Sequence, residues 1–337
     1  MTSTLRTFAW RAVKVLAPVA VLAWVVSGVD PEQWRALDVG PSGWRWMAVA
    51  LAIEGVGLSL TFVRWHLLMR TVGLSYTLTD AFRLGSLGFV VSSLTIGAVG
   101  GDVVKSAFVA REQPERRAEA VITVLVDRAL GIYALMLVAS AGLLFGGLPA
   151  ALPGVDAVRT LAVAVTVAGG LALFALFVPG VHRRLHDRAT SGGQPTSLVA
   201  RVLEAVRLYA ERPGIVAVAI ALGAAAFLLT ALAVFVLGRA FFSDVPSPAD
   251  HLVIVPLAMV AGALPIAPAG LGTFEFAMDR LYALAGTGGA GEASGVLIAL
   301  GFRAVTVGLA FIGIALYFLW RARGQAILAD ARKRAAS

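Results

Sequence analysis

Cysteine is absent from this 337-residue chain, and charged residues are scarce at 14%. The absence of cysteine excludes disulfides, thiolate metal sites and cysteine nucleophiles. The scarcity of charge comes with 59% hydrophobic residues and a mean hydropathy of +0.85. An ordinary soluble domain needs more polar residues than this to cover its surface. The composition therefore predicts an all-α polytopic integral membrane protein.

The net charge is +8, which raises the question of a nucleic-acid partner. Nucleic-acid binders gather basic residues in one domain or patch, whereas here they flank apolar runs. Basic residues at such positions are typical of the cytoplasmic loops of membrane proteins. The sequence also lacks a Walker loop, a nucleophile elbow and a zinc-protease signature. We expect no nucleic acid, no cofactor and no metal.

Six apolar stretches are candidates for membrane-spanning helices, each of which needs about 20 residues. They are residues 15–29, 46–63, 119–146, 160–181, 214–238 and 293–320. No convincing small-residue cleavage site follows the first stretch, so it is predicted to be an uncleaved signal anchor. The pattern predicts six full crossings of a bacterial-type inner (plasma) membrane.

Two further apolar stretches, residues 84–101 and 252–274, are rich in glycine or proline. At this density these residues break a helix. Non-helical backbone at membrane depth is tolerated only where protein or a water-filled cavity surrounds it. The two stretches are therefore either broken spans or re-entrant hairpins.

The distribution of basic residues favours hairpins. If both stretches return to the side they entered from, 21 of the 28 lysines and arginines lie inside and 5 outside. A full crossing by the first stretch would place the basic cluster of residues 105–117 outside, against the positive-inside rule. Two full crossings would still misplace residues 183–212. The preferred topology puts both termini and the loop of residues 182–213 in the cytoplasm, with an amphipathic helix in that loop.

An internal repeat follows from this topology. Residues 13–146 and 157–320 each contain two spans, a hairpin and a further span, and an odd number of crossings inverts the second half. Gly100, Gly101 and Asp102 are followed 26 residues after Asp102 by Arg128. Gly270, Gly272 and Glu275 are followed 28 residues after Glu275 by Arg303. The chain is predicted to be one membrane domain of two inverted halves, an organisation found in many transporters.

Arg128 and Arg303 are predicted to lie within the membrane, where a charge costs roughly 2.5–3.5 kcal/mol on insertion scales. They either pair with Asp102 and Glu275 to stabilise the fold, or bind the phosphate of a lipid headgroup through the planar guanidinium. Both readings stay open. Glu54, inside the second span, is predicted to be paired within the bundle.

The glycine-rich turns lead into predicted short helices. A helix N-terminus attracts anionic groups, and glycine allows close backbone approach to a ligand. Alternatively, Asp102 and Thr273 only cap these helices, an interaction that stabilises a helix by about 1 kcal/mol. Acids at this depth could also carry protons.

Three motifs resemble the lysylphosphatidylglycerol synthase transmembrane-region family, also called flippase-like domain proteins. They are G-G-D-V-V-K at residues 100–105, Asp127-Arg128, and L-P-I-A-P-A-G-L-G-T-F-E at residues 264–275. The similarity extends from about the second span to the last. The sequence departs from the family pattern at residues 92–95, where Ser-Ser-Leu-Thr replaces a frequent asparagine and proline. It departs again at Lys105, where arginine is frequent.

The resemblance implies a translocase that moves a lipid or lipid-linked substrate with an anionic headgroup between leaflets, rather than an enzyme. Its expected substrate-binding residues are Arg128, Arg303, Lys105, Gly100, Gly101, Gly270 and Gly272. Its expected counter-ions or proton sites are Asp102, Glu275 and Asp127. The substrate would be a membrane phospholipid or a polyprenyl-linked lipid. A second copy of the chain and a separate lipid-modifying enzyme stay open as partners.

Two other functions stay open at this point. One is a membrane transferase acting on a polyprenyl-phosphate lipid, and the other is a scaffold that transports nothing. Fused family members carry a soluble aminoacyl-transferase domain after the membrane part. This chain ends 17 residues after Trp320, so we do not expect it to synthesise lysyl-lipid alone.

Overall fold

The structure, a computed structural model, describes residues 41–94, 100–145, 154–177, 207–263, 272–286 and 294–335. Within these ranges the chain is helical and contains no strand. The predicted first span, residues 15–29, lies outside the described residues. So do Gly270 and most of the predicted cytoplasmic loop.

Nine α-helices form the described part of the chain. The first-half helices are α1 (Pro41–Thr71), α2 (Leu78–Leu94), α3 (Gly100–Glu112) and α4 (Arg117–Phe145). They are followed by α5 (Val155–Phe177), α6 (Pro213–Phe241), α7 (Pro248–Ala263), α8 (Thr273–Ala285) and α9 (Gly295–Ala335). A single 3₁₀ turn, Pro114–Arg116, joins α3 to α4.

Five of these helices are long and apolar enough to cross a membrane. The candidate spans are Gly43–Thr71, Arg117–Phe145, Val155–Ala175, Pro213–Phe241 and Gly295–Phe318. They coincide with five of the six predicted crossings, so the multi-pass helical prediction is confirmed for these segments. The α1 helix continues beyond residue 63, where the predicted span ended, as far as Thr71.

Neither glycine-rich stretch is a continuous helix. Between α2 and α3 the helix ends at Leu94 and the next begins at Gly100. Arg83 near the start of α2 contacts Glu112 at the end of α3, at 3.2 Å between Nη2 and Oε1. At the other end, the N–H of Gly101 donates to Ser92 Oγ at 3.2 Å. The two helices therefore pack antiparallel, which is the arrangement that a re-entrant hairpin requires.

The second stretch has the same form. The α7 helix ends at Ala263 and α8 begins at Thr273. Gly262, near the end of α7, lies against Phe274 at the start of α8. His251, near the start of α7, forms a hydrogen bond with Tyr282 in α8. These contacts also run antiparallel.

The helices of the two halves meet in matching pairs. The α1 helix packs on α6, α2 packs on α9, and α7 packs on α4. If each of α1, α2, α3 and α4 is exchanged with α6, α7, α8 and α9 respectively, the same three helix pairs result. Two structurally related halves would show this symmetry. Gly57 of α1 lies against Leu229 of α6, and Arg64 lies against Gly223. The α1 and α6 helices are therefore antiparallel.

Small residues lie at these helix crossings. A methyl group on Gly57 would be 3.3 Å from the Ala226 carbonyl oxygen, and one on Gly142 would be 2.5 Å from the Leu252 carbonyl oxygen. In a bilayer, helix association depends on close van der Waals packing, because lipid tails are as apolar as the side chains. Glycine at these positions lets the backbones approach closely.

Candidate functional site

Asp102 and Arg128 form the first of two ion pairs that the spacing of the sequence had suggested. Arg128 Nη1 lies 2.9 Å from Asp102 Oδ2, joining α3 to α4. The α3 helix begins at Gly100, so Asp102 lies inside its first turn. The interpretation of Asp102 as the residue that caps this helix is therefore wrong.

Glu275 and Arg303 form the second pair, between α8 and α9. Arg303 Nη2 lies 2.9 Å from Glu275 Oε1, and its Nε lies 3.3 Å from the same oxygen. The other oxygen of Glu275 accepts a hydrogen bond from the Gly272 N–H at 2.6 Å. Glu275 is fully buried. One carboxylate thus closes the N-terminus of α8 and holds the arginine.

Gly272, rather than Thr273, is the N-cap of α8. Its φ of 85° lies in the left-handed region, which glycine adopts without the steric cost of a side chain. The Phe274 ring lies beneath the Arg303 guanidinium, with 5.9 Å between the guanidinium carbon and the ring centroid. The glycine of the motif therefore allows the turn that brings both Phe274 and Glu275 to Arg303.

A third pair, Arg64–Asp127, was not predicted. Arg64 Nε lies 2.7 Å from Asp127 Oδ1, and the two side chains are only 7% and 11% exposed. The predicted second span ended at residue 63, whereas α1 continues through Arg64 to Thr71. The apolar residues 67–69, which follow Arg64, are the sequence feature that could have predicted this continuation of the helix. Asp127 therefore serves Arg64, whereas its neighbour Arg128 pairs with Asp102.

The Arg64 side chain occupies a space made by glycines. Methyl groups on Gly131 of α4 and Gly223 of α6 would lie 3.1 Å and 2.8 Å from its guanidinium nitrogens. Residues 214–238 of α6, the helix that matches α1, carry no charge, so this stretch has no counterpart of Arg64. This pair makes the two halves chemically unequal.

Lys105 lies on α3, one turn beyond Asp102. Its Nζ is 5.1 Å from the centroid of the Trp65 ring, within the range of a cation–π contact. Its stem packs on Gly88, where a methyl group would be 2.6 Å from Lys105 Cε. A methyl group on Gly101 would overlap the Gly88 carbonyl oxygen. Both glycines let α2 and α3 approach.

Of the two other glycines predicted to bind substrate, Gly100 is among the described residues and Gly270 is not. Gly100 is the first residue of α3 and is partly buried. Gly270 lies outside the described residues, so its predicted role has no structural account.

The charges around Asp102 do not balance among the described residues. Asp102 interacts electrostatically with Lys105, Arg128 and Asp127. Together with Arg64, the described residues of this cluster comprise three cations and two carboxylates, whereas Arg303 and Glu275 form one pair of opposite charges. The Arg128 side chain is 33% exposed and that of Arg303 is 29% exposed. A guanidinium with an accessible edge can donate two parallel hydrogen bonds to a phosphate.

The helices and their buried charges define a polytopic helical membrane protein. Within that class, the chain belongs to the family described as the lysylphosphatidylglycerol synthase TM region, whose profile matches residues 11–331. This confirms the resemblance drawn from the motifs. No curated protein matches the chain significantly.

Proposed function

We propose that this protein is a translocase that moves an anionic phospholipid or a polyprenyl-linked lipid between the leaflets of the inner membrane. The observation that carries the proposal is the charge cluster around Arg128. Among the described residues it has one more cation than carboxylates, and the Arg128 side chain stays one-third exposed. An anionic headgroup would complete that balance, since a charge at membrane depth is costly without a partner.

Each charged residue has a role in this proposal. Arg128 and Arg303 bind phosphate through their exposed edges, and Lys105 adds a second positive charge beside Arg128. Asp102 and Glu275 are the counter-ions that hold Arg128 and Arg303 when no headgroup is bound, while Asp127 stays paired with Arg64. The protein moves its substrate and makes or breaks no covalent bond.

The arrangement of the helices supports alternating access to the two leaflets. The antiparallel pairs α2–α3 and α7–α8 would enter the membrane from opposite sides as re-entrant hairpins. Their arginine partners lie on α4 and α9, which are themselves matching helices of the two halves. Transporters built from inverted repeats bind substrate near the midplane at the interface of the halves. The positive-inside rule orients the chain with both termini in the cytoplasm.

The substitutions Arg128→Lys and Arg303→Lys test the phosphate role. Lysine keeps the charge but loses the planar fork of donors. We expect both variants to accumulate like the wild type and to move labelled anionic lipid in reconstituted vesicles about tenfold more slowly. A tenfold change corresponds to about 1.4 kcal/mol, close to the lower end of what one hydrogen bond to a charged group contributes.

Arg159→Lys is the matched control, because Arg159 makes an ion pair with the exposed Asp156 outside the cluster. It should transport like the wild type. Wild-type transport by both Arg128→Lys and Arg303→Lys would remove the phosphate role and leave a purely structural one.

A further inference from the structure

Glu54 lies near the middle of α1, on the face that meets α6. Its Oε2 is buried and has no hydrogen-bond partner within the part of the chain that the structure describes. Its carboxyl contacts the side chain of Thr230 in α6. The sequence predicted that Glu54 is paired within the bundle, and the partner that the described residues provide is this threonine.

The hydrogen bonding of Thr230 bears on which group donates in this contact. Thr230 Oγ1 lies 3.2 Å from the Ala226 carbonyl oxygen, to which it can donate the back-bond that threonine commonly forms within a helix. A hydroxyl has one proton, which goes either to Ala226 or to an ionised Glu54. When it goes to Ala226, the Thr230 oxygen can only accept, and only a protonated carboxyl can donate to it. The protonated form of Glu54 is therefore the form that keeps both hydrogen bonds.

No described charge is positioned to replace that proton. On α6, residues 214–238 are uncharged. On the other elements packed against α1, the cations Arg128 and Arg303 already hold carboxylates, and within α1 itself Arg64 does so. The other charged and titratable residues of these elements, counted on α9 as far as Phe318, are Arg45, Arg64, His66 and Arg70 on α1, Asp80 and Arg83 on α2, Arg117, Glu119, Asp127, Arg128 and Tyr133 on α4, Arg239 on α6, and Arg303 and Tyr317 on α9.

Glu54 occupies the crossing between the two halves. One turn along α1, Gly57 lies against Ala226 and Leu229, which brings the backbones of α1 and α6 together. A carboxylate here would face the Thr230 oxygen without a cation, and burying an unpaired charge is far more costly than burying a neutral acid. Loss of the proton would therefore loosen this crossing or admit water to it.

We propose that Glu54 is a proton-binding site whose protonation state sets the packing of α1 against α6, and so links lipid movement to protons. The link to transport rests on the proposed function, whereas proton binding by Glu54 does not. The ligand is the proton itself, bound to the Glu54 carboxyl, which then donates a hydrogen bond to Thr230.

Infrared spectroscopy of the wild-type protein in vesicles tests the site directly. We expect the carbonyl band of a protonated carboxyl at neutral pH, where a solvated glutamate is ionised. The band should be lost in Glu54→Gln, whose amide can donate to Thr230 in the same way, and retained in Glu211→Gln, which removes an exposed glutamate. Absence of the band from the wild type, or its retention in Glu54→Gln, would overturn the proposal.

Thr230→Val provides a second variant that leaves the acid in place. Removing the acceptor should shift the frequency of the Glu54 band, and an unshifted band would overturn the assigned contact. In transport assays, reversing the pH gradient should change the wild-type rate but not that of Glu54→Gln. A wild-type rate indifferent to the gradient would overturn the coupling. No lipid movement at all would instead count against the translocase, and the infrared result would still decide the proton site.

Discussion

Three arginines of the described spanning helices are held by a carboxylate of another helix, yet the pairs differ in burial. Arg64–Asp127 is almost fully buried, whereas Arg128 and Arg303 keep about a third of their side-chain surface exposed. A buried pair contributes little net stability, but removing one partner leaves a costly unpaired charge. The first pair therefore fits a structural role, and the other two have surface left for a ligand.

Replacing Asp127 with asparagine should destabilise the protein strongly. Arg64 would remain charged and buried without its carboxylate, at a cost of about 3–5 kcal/mol by analogy with other buried pairs. Thermal unfolding in detergent measures this loss. Asp156→Asn is the control, because its partner Arg159 lies in an exposed pair of small value. Equal unfolding temperatures for the two variants would contradict the structural role of Asp127.

At the scale of elements, the packing of α2 against α3 depends on Gly88 and Gly101, which should differ in how well they tolerate substitution by alanine. The methyl group of alanine at position 101 would meet the backbone oxygen of Gly88, which cannot move without shifting α2. At position 88 it would meet the stem of Lys105, which is flexible. Backbone contacts of this kind leave no room for adjustment by rotamer change.

Gly101→Ala should therefore destabilise the protein more than Gly88→Ala. Overpacking typically costs about 1–3 kcal/mol, and we expect the first variant at or above the upper end. Unfolding temperature and yield after purification check the order. The reverse order, or no difference, would show that α2 and α3 are not packed as described.

The sequence was sufficient for the apolar helices and for the breaks between them. Length and hydropathy identify the spans locally, and glycine and proline mark where α2 and α7 end. The spacing of Asp102–Arg128 and Glu275–Arg303 placed each acid and arginine one helix apart. These features depend on residues near each other in the chain.

The remaining features depend on neighbours that are distant in the chain. Arg64 meets Asp127 63 residues later, and its pairing requires that α1 continue and that two glycines make room. Glu54 meets Thr230 on α6, a partner that the sequence did not identify. Such contacts follow from which helices pack together, and periodicity within one helix does not specify that.

At the scale of the whole molecule, the antiparallel α2–α3 pair fixes which loops lie on the same side. Tyr76 Oη donates to Glu112 Oε2 at 2.9 Å, so the α1–α2 loop lies beside the end of α3. If the pair is re-entrant, both ends face the cytoplasm. The loop between α6 and α7 then faces outward.

Single cysteines in this cysteine-free chain test the topology. In intact cells, an impermeant thiol reagent should label Asp244→Cys but neither Ser75→Cys nor Arg111→Cys. All three should be labelled after the membrane is opened, which controls for accessibility. Labelling of Arg111→Cys but not Ser75→Cys in intact cells would mean that the α2–α3 pair crosses the membrane.

The most direct test of the central claim measures lipid movement by the purified wild-type protein. Vesicles carry a fluorescent anionic phospholipid, and an impermeant quencher reports how much of it is in the outer leaflet. The account predicts faster exchange between leaflets than in protein-free vesicles, with a smaller effect on a zwitterionic lipid, because the cluster around Arg128 has an excess of positive charge. Exchange of both a phospholipid and a polyprenyl-phosphate probe at the protein-free rate would contradict the translocase.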